Sequence, residues 1–449
     1  MLLNILIGLI GLGIVVFVHE AGHLVVAKLV GIDVEAFSLG WGRKIAGFEY
    51  KGTDYRISVF PLGGYCKMRG DEALQQAYQN GERTIPKDKG TFFAARPFHR
   101  ILVAFAGPAV NLLFSIVVLA VLWWIGFSVP TFDNRIVLAS EYNSGQGPDV
   151  AAEAGLETGD VVRSVGGAEI SSFRDLRQEV AAAADRELTV VVERGSRTRE
   201  FTVTPELDPN TGAGQIGVYP WIEPVTDDVQ PETPAAEAGI RPGDRVVEAN
   251  GRETPHSIAL GRALSENEGE ETLVLARDGT RRTVRIPDVA GLSALGITFE
   301  PRTVESPDLG PLGALARGAS ETWETLSVTV RGIGMLFRGV DVTQAVAGPI
   351  RITYFVGEVA TQGMSTGIGG GLRAFFSFLS LLSVALFFMN LLPIPVLDGG
   401  QILLYAVEGI SRRELHPKLV YGYQMVGMVL VFMLLFFALF NDILFLSSR

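Results

Sequence analysis

Long apolar stretches dominate the pattern of hydrophobic and polar positions along this chain. Four of them reach the roughly 20 residues that a helix needs to cross a bilayer. They cover residues 1–27, 101–132, 374–397 and 419–440. The pattern therefore predicts a polytopic α-helical membrane protein with four transmembrane helices.

Lysine and arginine predict how these helices are oriented, because both residue types concentrate in cytoplasmic loops. The loop 28–100 carries twelve of them, and the short loop between the third and fourth stretches carries three more. With four spans, these two loops lie on the same side, which we expect to be cytoplasmic. Both termini and the segment 133–370 then face outside. No Lys or Arg precedes Lys28, so the first stretch lacks the basic start of a signal peptide.

The segment 133–302 has the composition of a soluble protein and contains an internal repeat. The sequence Ala-Ala-Glu-Ala-Gly begins at Ala151 and recurs 84 residues later at Ala235, followed each time by Gly-Asp. A period this long predicts tandem small α+β domains rather than a solenoid. The predicted helices cover about 172–184 and about 256–266, and the predicted strands cover 188–193, 200–203, 215–218, 272–276, 283–286 and 294–297.

Composition narrows the class of function. The chain has 449 residues and a net charge of −11, which argues against nucleic-acid binding by bulk electrostatics. Cys66 is the only cysteine, so the chain can form neither an internal disulfide nor a cysteine-rich zinc site. Any zinc must therefore be held by nitrogen and oxygen.

The first apolar stretch contains an H-E-x-x-H motif formed by His19, Glu20 and His23. On a helix, residues four apart share a face, so two imidazoles can bind one zinc while the carboxylate reaches its water. One acidic residue at the centre of a membrane helix costs about 2.5–3.5 kcal/mol, so such groups need compensation. The alternative is a capped helix end with two surface histidines, which an apolar environment disfavours.

A third ligand is expected within the membrane, because catalytic zinc usually has three protein ligands and one open position. The three other histidines lie in loops or soluble segments. Asp398 ends the third apolar stretch, in Asn-Leu-Leu-Pro-Ile-Pro-Val-Leu-Asp-Gly over 390–399. Two prolines break the helix there, and irregular backbone at membrane depth needs protein or a water-lined cavity around it. Asp398 is therefore the candidate, the alternative being an N-cap for an apolar helix over 401–407.

H-E-x-x-H in one span and N-x-x-P-x-P-x-L-D-G in a later one resemble the site-2 protease family of intramembrane zinc metalloproteases, over essentially the whole chain. The resemblance implies a zinc metalloendopeptidase with one Zn²⁺ per chain. It implies that His19, His23 and Asp398 bind the metal and that Glu20 is the catalytic base for attack by zinc-bound water. The residues that it implies for substrate positioning are Asn390, Pro393, Pro395, Gly63 and Gly64.

The same resemblance implies two tandem PDZ domains on the outer side of a bacterial inner membrane. The implied activity is regulated intramembrane proteolysis in a stress response. The implied partners are the lipid bilayer and single-span membrane proteins such as an anti-sigma factor. The implied substrates also include remnant signal peptides. Whether the PDZ domains bind a peptide or exclude substrates by size stays open, as do the cleavage site, the gating motion and the oligomeric state.

The domain organisation follows from these segments. We expect spans at 1–30, 101–128, 373–408 and 418–446, a cytoplasmic loop with a membrane-associated β-hairpin at 31–100, PDZ domains at 129–221 and 222–302, and an amphipathic region at 303–372.

Three further segments resemble parts of the family. Residues 105–111 (Phe-Ala-Gly-Pro-Ala-Val-Asn) open the second span. We predict that their small residues serve only the close packing of helices. Residues 55–68 resemble the membrane-associated β-hairpin of the family, which is implied to pair with substrate. The alternative is a cytoplasmic hairpin that binds no ligand, and we favour the pairing role. Residues 312–360 resemble a surface-lying amphipathic helix that leads into the third span.

Two other functions compete with the protease. One is a membrane-anchored PDZ adaptor with a degenerate metal site, which would typically lose the base that Glu20 provides here. The other is a metal transporter that uses His19, His23 and Asp398 as a transit site. A transporter is expected to show repeated spans with paired broken helices, whereas only the third apolar stretch is broken by proline.

Overall fold

The computed structural model describes residues 2–142, 149–208, 213–267, 269–287, 289, 291–299, 302–336, 348–364 and 367–447. The chain divides into two compact units. The first comprises Met1–Gly126 and Pro307–Arg449, and the second comprises Phe127–Ser306.

Helices account for most of the first unit and a smaller part of the second. In chain order they are α1 (Leu2–Leu29), α2 (Asp71–Gln79), α3 (Pro97–Ile125), α4 (Val150–Glu153), α5 (Phe173–Ala181), α6 (Pro234–Glu237), α7 (Ser257–Ser265), α8 (Leu292–Leu295), α9 (Pro311–Leu336), α10 (Pro349–Gly363), α11 (Ile368–Asn390), α12 (Asp398–Ser411) and α13 (Pro417–Ser447).

The strands form antiparallel pairs and small sheets. In chain order they are β1 (Val34–Tyr50), β2 (Thr53–Met68), β3 (Ser128–Thr131), β4 (Ile136–Leu138), β5 (Val161–Val165), β6 (Ala168–Glu169), β7 (Leu188–Arg194), β8 (Arg197–Val203), β9 (Glu206–Leu207), β10 (Gly214–Gln215), β11 (Val218–Pro220), β12 (Thr226–Val229), β13 (Arg245–Ala249), β14 (Arg252–Glu253), β15 (Glu271–Arg277), β16 (Thr280–Ile286), β17 (Ile297–Phe299) and β18 (Arg302–Glu305).

Four helices among the described residues are long and apolar enough to cross a membrane, which confirms the number predicted from the sequence. They are Leu3–Leu29, Pro97–Ile125, Ile368–Asn390 and Pro417–Ile443. The second begins four residues earlier than the apolar stretch, because Pro97 starts a helix well at its first position.

Glycines bring helix α1 into close contact with two neighbours. A Cβ atom on Gly22 would lie 2.5 Å from the Ala106 carbonyl oxygen in α3, and one on Gly8 would lie 1.8 Å from the Thr353 carbonyl oxygen in α10. Small residues allow membrane helices to approach backbone to backbone. Helix α1 is therefore packed against both α3 and α10 at distances that a larger residue would prevent.

The expectation of a single amphipathic helix over 312–360 is wrong in one respect. Among the described residues of this region, a separate helix, α10, begins after Gly348 and follows α9. Helix α9 packs along α3, where a Cβ on Gly318 would lie 2.8 Å from the Ile116 carbonyl oxygen. Helix α10 begins after Gly348, whose N–H donates to the buried Asp442 carboxylate over 2.9 Å. The Gly-Pro sequence at 348–349 favours this new helix start.

The β1–β2 hairpin is folded back on itself. Residues 36–39 pair on one side with 64–67 and on the other with 54–57, while 44–50 pair with 53–58. The resulting order of segments is 64–68, 34–39, 53–58 and 44–50. Among the described strands, none pairs with the outer side of 64–68, so this segment is an open sheet edge.

The second unit contains the predicted repeat as two four-stranded sheets with the same order, β6-β5-β7-β8 and β14-β13-β15-β16. Each copy has its own buried apolar core. In each copy the aspartate of the Gly-Asp pair is buried and accepts two hydrogen bonds from an arginine at the end of a strand, Asp160 from Arg194 and Asp244 from Arg277. The sequence repeat therefore corresponds to a repeat of structure.

His256 joins the two copies within the second unit. Its Nδ1 accepts from the Ala259 N–H at the start of α7 over 3.2 Å, and its Nε2 lies 3.1 Å from the Tyr142 hydroxyl of the first copy. Since Nδ1 accepts, the proton of the neutral ring is on Nε2. Burial, followed by the positive charge of Arg135, lowers the pKa of His256 to about 4.

We predict that this junction weakens as the pH falls from about 6.5 to about 4. The unfolded chain has the higher pKa, so it binds the proton first, and the contribution of His256 to stability is complete above pH 6.5. Hydrogen–deuterium exchange of full-length protein in detergent, corrected for intrinsic rates, should show loss of protection in α7 over this range.

The matched control is His256→Asn, because asparagine caps a helix but does not titrate in this range. Its α7 peptides should show a flatter pH dependence. Equal loss of protection in both proteins would contradict the prediction.

Candidate metal centre

The H-E-x-x-H motif lies on α1, as the sequence predicted, and presents two imidazoles to the same point. His19 and His23 are 9% and 8% exposed, and their Nε2 atoms lie 3.2 Å apart. Their rings meet nearly edge to face. The spacing of four residues on a helix is the cause, since it stacks the two side chains one turn apart.

Asp398 reaches the same point from the distant end of the chain. Its Oδ2 lies 3.2 Å from His19 Nε2, and its Oδ1 lies 3.5 Å from His23 Nε2. Asp398 is the first residue of α12, and the residue that precedes this helix as its N-cap is Leu397. The side chain is thus directed at the imidazoles rather than used as the cap.

An irregular segment between α11 and α12 sets the position of Asp398. Val396 has φ of 82°, a left-handed conformation that a β-branched residue rarely adopts. A Cβ on Gly399 would lie 2.2 Å from the Leu391 carbonyl oxygen, and one on Gly400 would lie 2.2 Å from that of Ile394. The segment therefore folds tightly over the start of α12, and strain of this kind is concentrated at functional sites.

The three side chains fit a zinc ion. Two imidazole nitrogens and one carboxylate are a donor set that zinc accepts, and ligands about 2.0–2.1 Å from a tetrahedral zinc lie about 3.3 Å from each other. The separations of 3.2, 3.2 and 3.5 Å between the Nε2 atoms and the carboxylate oxygens match that geometry. With three protein ligands, a tetrahedral zinc would keep a fourth position for water or substrate.

Helix α3 supplies the next contacts, which the sequence analysis missed. The His23 Nδ1 donates to the Val103 carbonyl oxygen over 2.8 Å, and the Asn111 side chain lies 3.3 Å from His19 Nδ1. A Cβ on Gly107 would lie 2.3 Å from His23 Nε2 and 2.9 Å from His19 Cε1. The segment 105–111 thus contacts both imidazoles. The amide side chain of Asn111, in an otherwise apolar span, was the sequence feature that could have indicated more than packing.

Glu20 lies between the imidazoles and the open edge of the β1–β2 sheet. Its carboxylate side chain lines the same cavity as Gly64, Tyr65 and Cys66 of that edge. A Cβ on Gly64 would lie 3.4 Å from the Glu20 Cγ and 2.8 Å from the Ser38 carbonyl oxygen. The absence of a side chain at residue 64 therefore lets the strand approach the carboxylate.

A cavity of about 640 Å³ connects these groups. Its polar lining includes His19, Glu20, His23, Tyr65, Asp71, Asn390, Asp398, Gln401 and Gln424. Burial, together with the charges of Glu20 and Asp71, raises the pKa of the Cys66 thiol to about 12. Burial raises the pKa of Asp71 to about 6, so at pH 7 the cavity offers a carboxylate and no thiolate.

The residues expected to position substrate separate into two groups. Asn390 and Gly64 line the cavity, and the Asn390 amide lies 3.5 Å from His19 Nε2. Gly63 has φ of 94° and packs against the Trp41 indole. Pro393 and Pro395 lie in the connection before α12. This connection packs closely on α13, since a Cβ on Gly427 would lie 2.0 Å from the Pro395 carbonyl oxygen.

Fold and site together define a membrane-integral protein with a candidate zinc centre built from two separated apolar segments. Residues 7–434 match Peptidase family M50. The chain belongs to this family, the site-2 protease family, and is a metalloprotease of the site-2 type, as the sequence motifs indicated.

Relatives match over nearly their whole length. The chain is 38% identical to "Putative zinc metalloprotease" of Treponema pallidum (strain Nichols), over 99% of this chain and 100% of that protein. It is 29% identical to "Regulator of sigma-E protease RseP" of Escherichia coli (strain K12) and 30% identical to "Protease RseP" of Yersinia pestis, each over 97% of both chains. These names agree with a zinc-dependent enzyme.

Gly107→Ala is expected to abolish metal binding, because its methyl group would lie on the His23 Nε2. We predict that bound zinc per chain, measured by elemental analysis of purified protein, falls at least about tenfold. The matched control is Gly13→Ala in α1, since a Cβ there has nothing within 4 Å. Zinc content that is unchanged in Gly107→Ala would contradict this account of the site.

Proposed function

We propose that this protein cleaves the transmembrane segments of single-span membrane proteins, with one zinc ion held by His19, His23 and Asp398. The observation that carries the proposal is the meeting of three ligand side chains, from α1 and α12, in a cavity that Glu20 also lines. The two Nε2 atoms lie 3.2 Å apart, and each lies within 3.5 Å of one Asp398 carboxylate oxygen. Zinc peptidases combine a zinc ion held by three protein ligands with a neighbouring carboxylate that acts as the general base.

The proposed chemistry divides between metal and protein. Bound zinc would supply Lewis-acid polarisation of the scissile carbonyl and acidify water in the site. Glu20 accepts the proton of the attacking water and later donates it to the departing amine. The Asn390 amide, which lines the same cavity, is a donor for the substrate backbone at the metal.

Substrate binding requires a change of backbone conformation, because the carbonyls of a transmembrane helix are already hydrogen-bonded within that helix. The open edge 64–68 borders Glu20 and offers replacement backbone partners. We infer that the unwound substrate segment adds to this edge as a strand. Gly64 keeps the edge close enough for the added strand to reach the metal.

The second unit is proposed to consist of two PDZ domains that act as a filter outside the membrane. The basic loops 28–100 and 412–418 favour a cytoplasmic location for the ends of the spans that carry the metal ligands. The second unit then lies in the periplasm of a bacterial inner membrane. An anti-sigma factor trimmed by another protease, and remnant signal peptides, are the proposed substrates.

Replacement of Glu20 by Gln tests the chemistry. The variant should retain zinc, because Glu20 is not a ligand, but cleave a tagged single-span substrate in detergent at least about 100-fold more slowly. Chelator-treated wild-type protein should be inactive and regain activity with zinc. Cleavage by the Gln variant at the wild-type rate would contradict the proposal. If the protein were instead a metal transporter, this variant should still move zinc.

Excision of the second unit tests the filter. Thr131 of β3 pairs with Arg302 of β18, so a two-residue Asn-Gly turn can join them in place of residues 132–301. We predict that this variant still cleaves a trimmed substrate and newly cleaves one with a bulky outer domain. Continued rejection of the bulky substrate would contradict filtering by the second unit.

A further inference from the structure

The two imidazoles of the metal centre are held in different ways. The His23 Nδ1 faces the Val103 carbonyl oxygen, which can only accept a hydrogen bond, over 2.8 Å. The proton of neutral His23 is therefore fixed on Nδ1, and the lone pair on Nε2 is available to a metal. The neutral ring is thus in the metal-binding tautomer.

His19 faces a group that can both donate and accept. Its Nδ1 lies 3.3 Å from the Asn111 amide nitrogen, and its Nε2 lies 3.2 Å from Asp398 Oδ2. In this arrangement Asn111 donates to Nδ1, and the proton of His19 is on Nε2, where Asp398 accepts it. That tautomer has no Nε2 lone pair for a metal.

The Asn111 side chain is fully buried, and its Oδ1 has no hydrogen-bond partner among the described residues. A half-turn about the bond to the amide group exchanges oxygen and nitrogen and moves no other atom. After the exchange, Oδ1 accepts from Nδ1–H of His19, and the Nε2 lone pair is free for metal. One residue therefore matches both tautomers of His19.

We propose that Asn111 is a positioning residue whose amide sets the tautomer of His19, accepting from Nδ1–H when Nε2 binds the metal and donating to Nδ1 when Nε2 carries the proton. The inference rests on the proposed zinc site. The partner of a metal-binding imidazole fixes which ring nitrogen can coordinate, and its removal typically costs 10- to 100-fold in metal affinity.

A role in packing alone does not explain Asn111. A buried amide in an apolar span is unfavourable without polar partners, and a purely packing position would be apolar. Ser115, one turn further along α3, is also fully buried, but its hydroxyl bonds to Ser380 and Thr322 between helices. Asn111 has its hydrogen bond to a metal-ligand candidate instead.

The test compares Asn111→Ala, Asn111→Asp and Ser115→Ala as full-length proteins in detergent. Zinc affinity is measured by competition with a chromophoric chelator, and the visible absorption of bound Co²⁺ reports the ligand geometry. We expect Asn111→Ala to bind zinc about 10- to 100-fold more weakly than wild type. Asn111→Asp, which keeps an acceptor for Nδ1–H, should bind at least about tenfold more tightly than Asn111→Ala. The control Ser115→Ala should stay within about twofold of wild type.

Several results would overturn the inference. Asn111→Ala at wild-type affinity would remove any role for the amide. Equal losses of zinc affinity in Asn111→Ala and Ser115→Ala would assign the effect to packing. Equal losses in Asn111→Ala and Asn111→Asp would show that a hydrogen-bond acceptor at residue 111 does not matter. If Asn111→Asp does not fold, judged by circular dichroism and gel filtration, the comparison of the two alanine variants decides. Failure of wild-type protein to bind zinc would instead refute the proposed function itself.

Discussion

The structure depends on holding two imidazoles and a carboxylate together inside an apolar helix bundle. Polar groups left alone there are costly, so each must find a partner within the protein. The three side chains are partners to one another, with separations of 3.2–3.5 Å between the Nε2 atoms and the Asp398 oxygens. The glycines at 22 and 107 follow from this constraint, since α3 must approach α1 closely enough for its backbone and amide groups to reach the rings.

The same constraint extends to the far end of α12, the helix that begins with Asp398. Arg100 of α3 is 3% exposed and donates to Glu408 over 2.6 Å, and its guanidinium lies 4.8 Å from the centre of the Tyr405 ring. Removing one partner of such a buried pair is strongly destabilising. Helix α12 is therefore fixed to α3 toward its end, while its first residue meets the imidazoles of α1. The carboxylate is thus held by a helix and not by a loop.

The sequence predicts those parts that depend on local pattern. Apolar length identifies four spans, a repeat identifies two similar copies, and H-E-x-x-H with Asp398 identifies three residues that the fold does bring together. The contributions of Gly107, Val103 and Asn111 were not predictable in this way. They depend on which face of α3 meets α1, and periodicity in a helix that is apolar all round does not specify a face. The new helix start after Gly348 was likewise not predicted, because α9 and α10 are both amphipathic.

The folded-back hairpin gives a physical reason why a sheet accompanies a metal site in a helical membrane protein. The far edge 44–50 carries exposed apolar side chains such as Ile45 and Phe48, 67% and 65% exposed, which suit a lipid or interfacial setting. The near edge 64–68 lies at Glu20 with its outer backbone groups unpaired by any described strand. An unpaired edge in an apolar environment is unfavourable. In the proposed mechanism, a substrate strand would remove that cost while it exposes its own carbonyl to the metal, so binding and unwinding would favour each other.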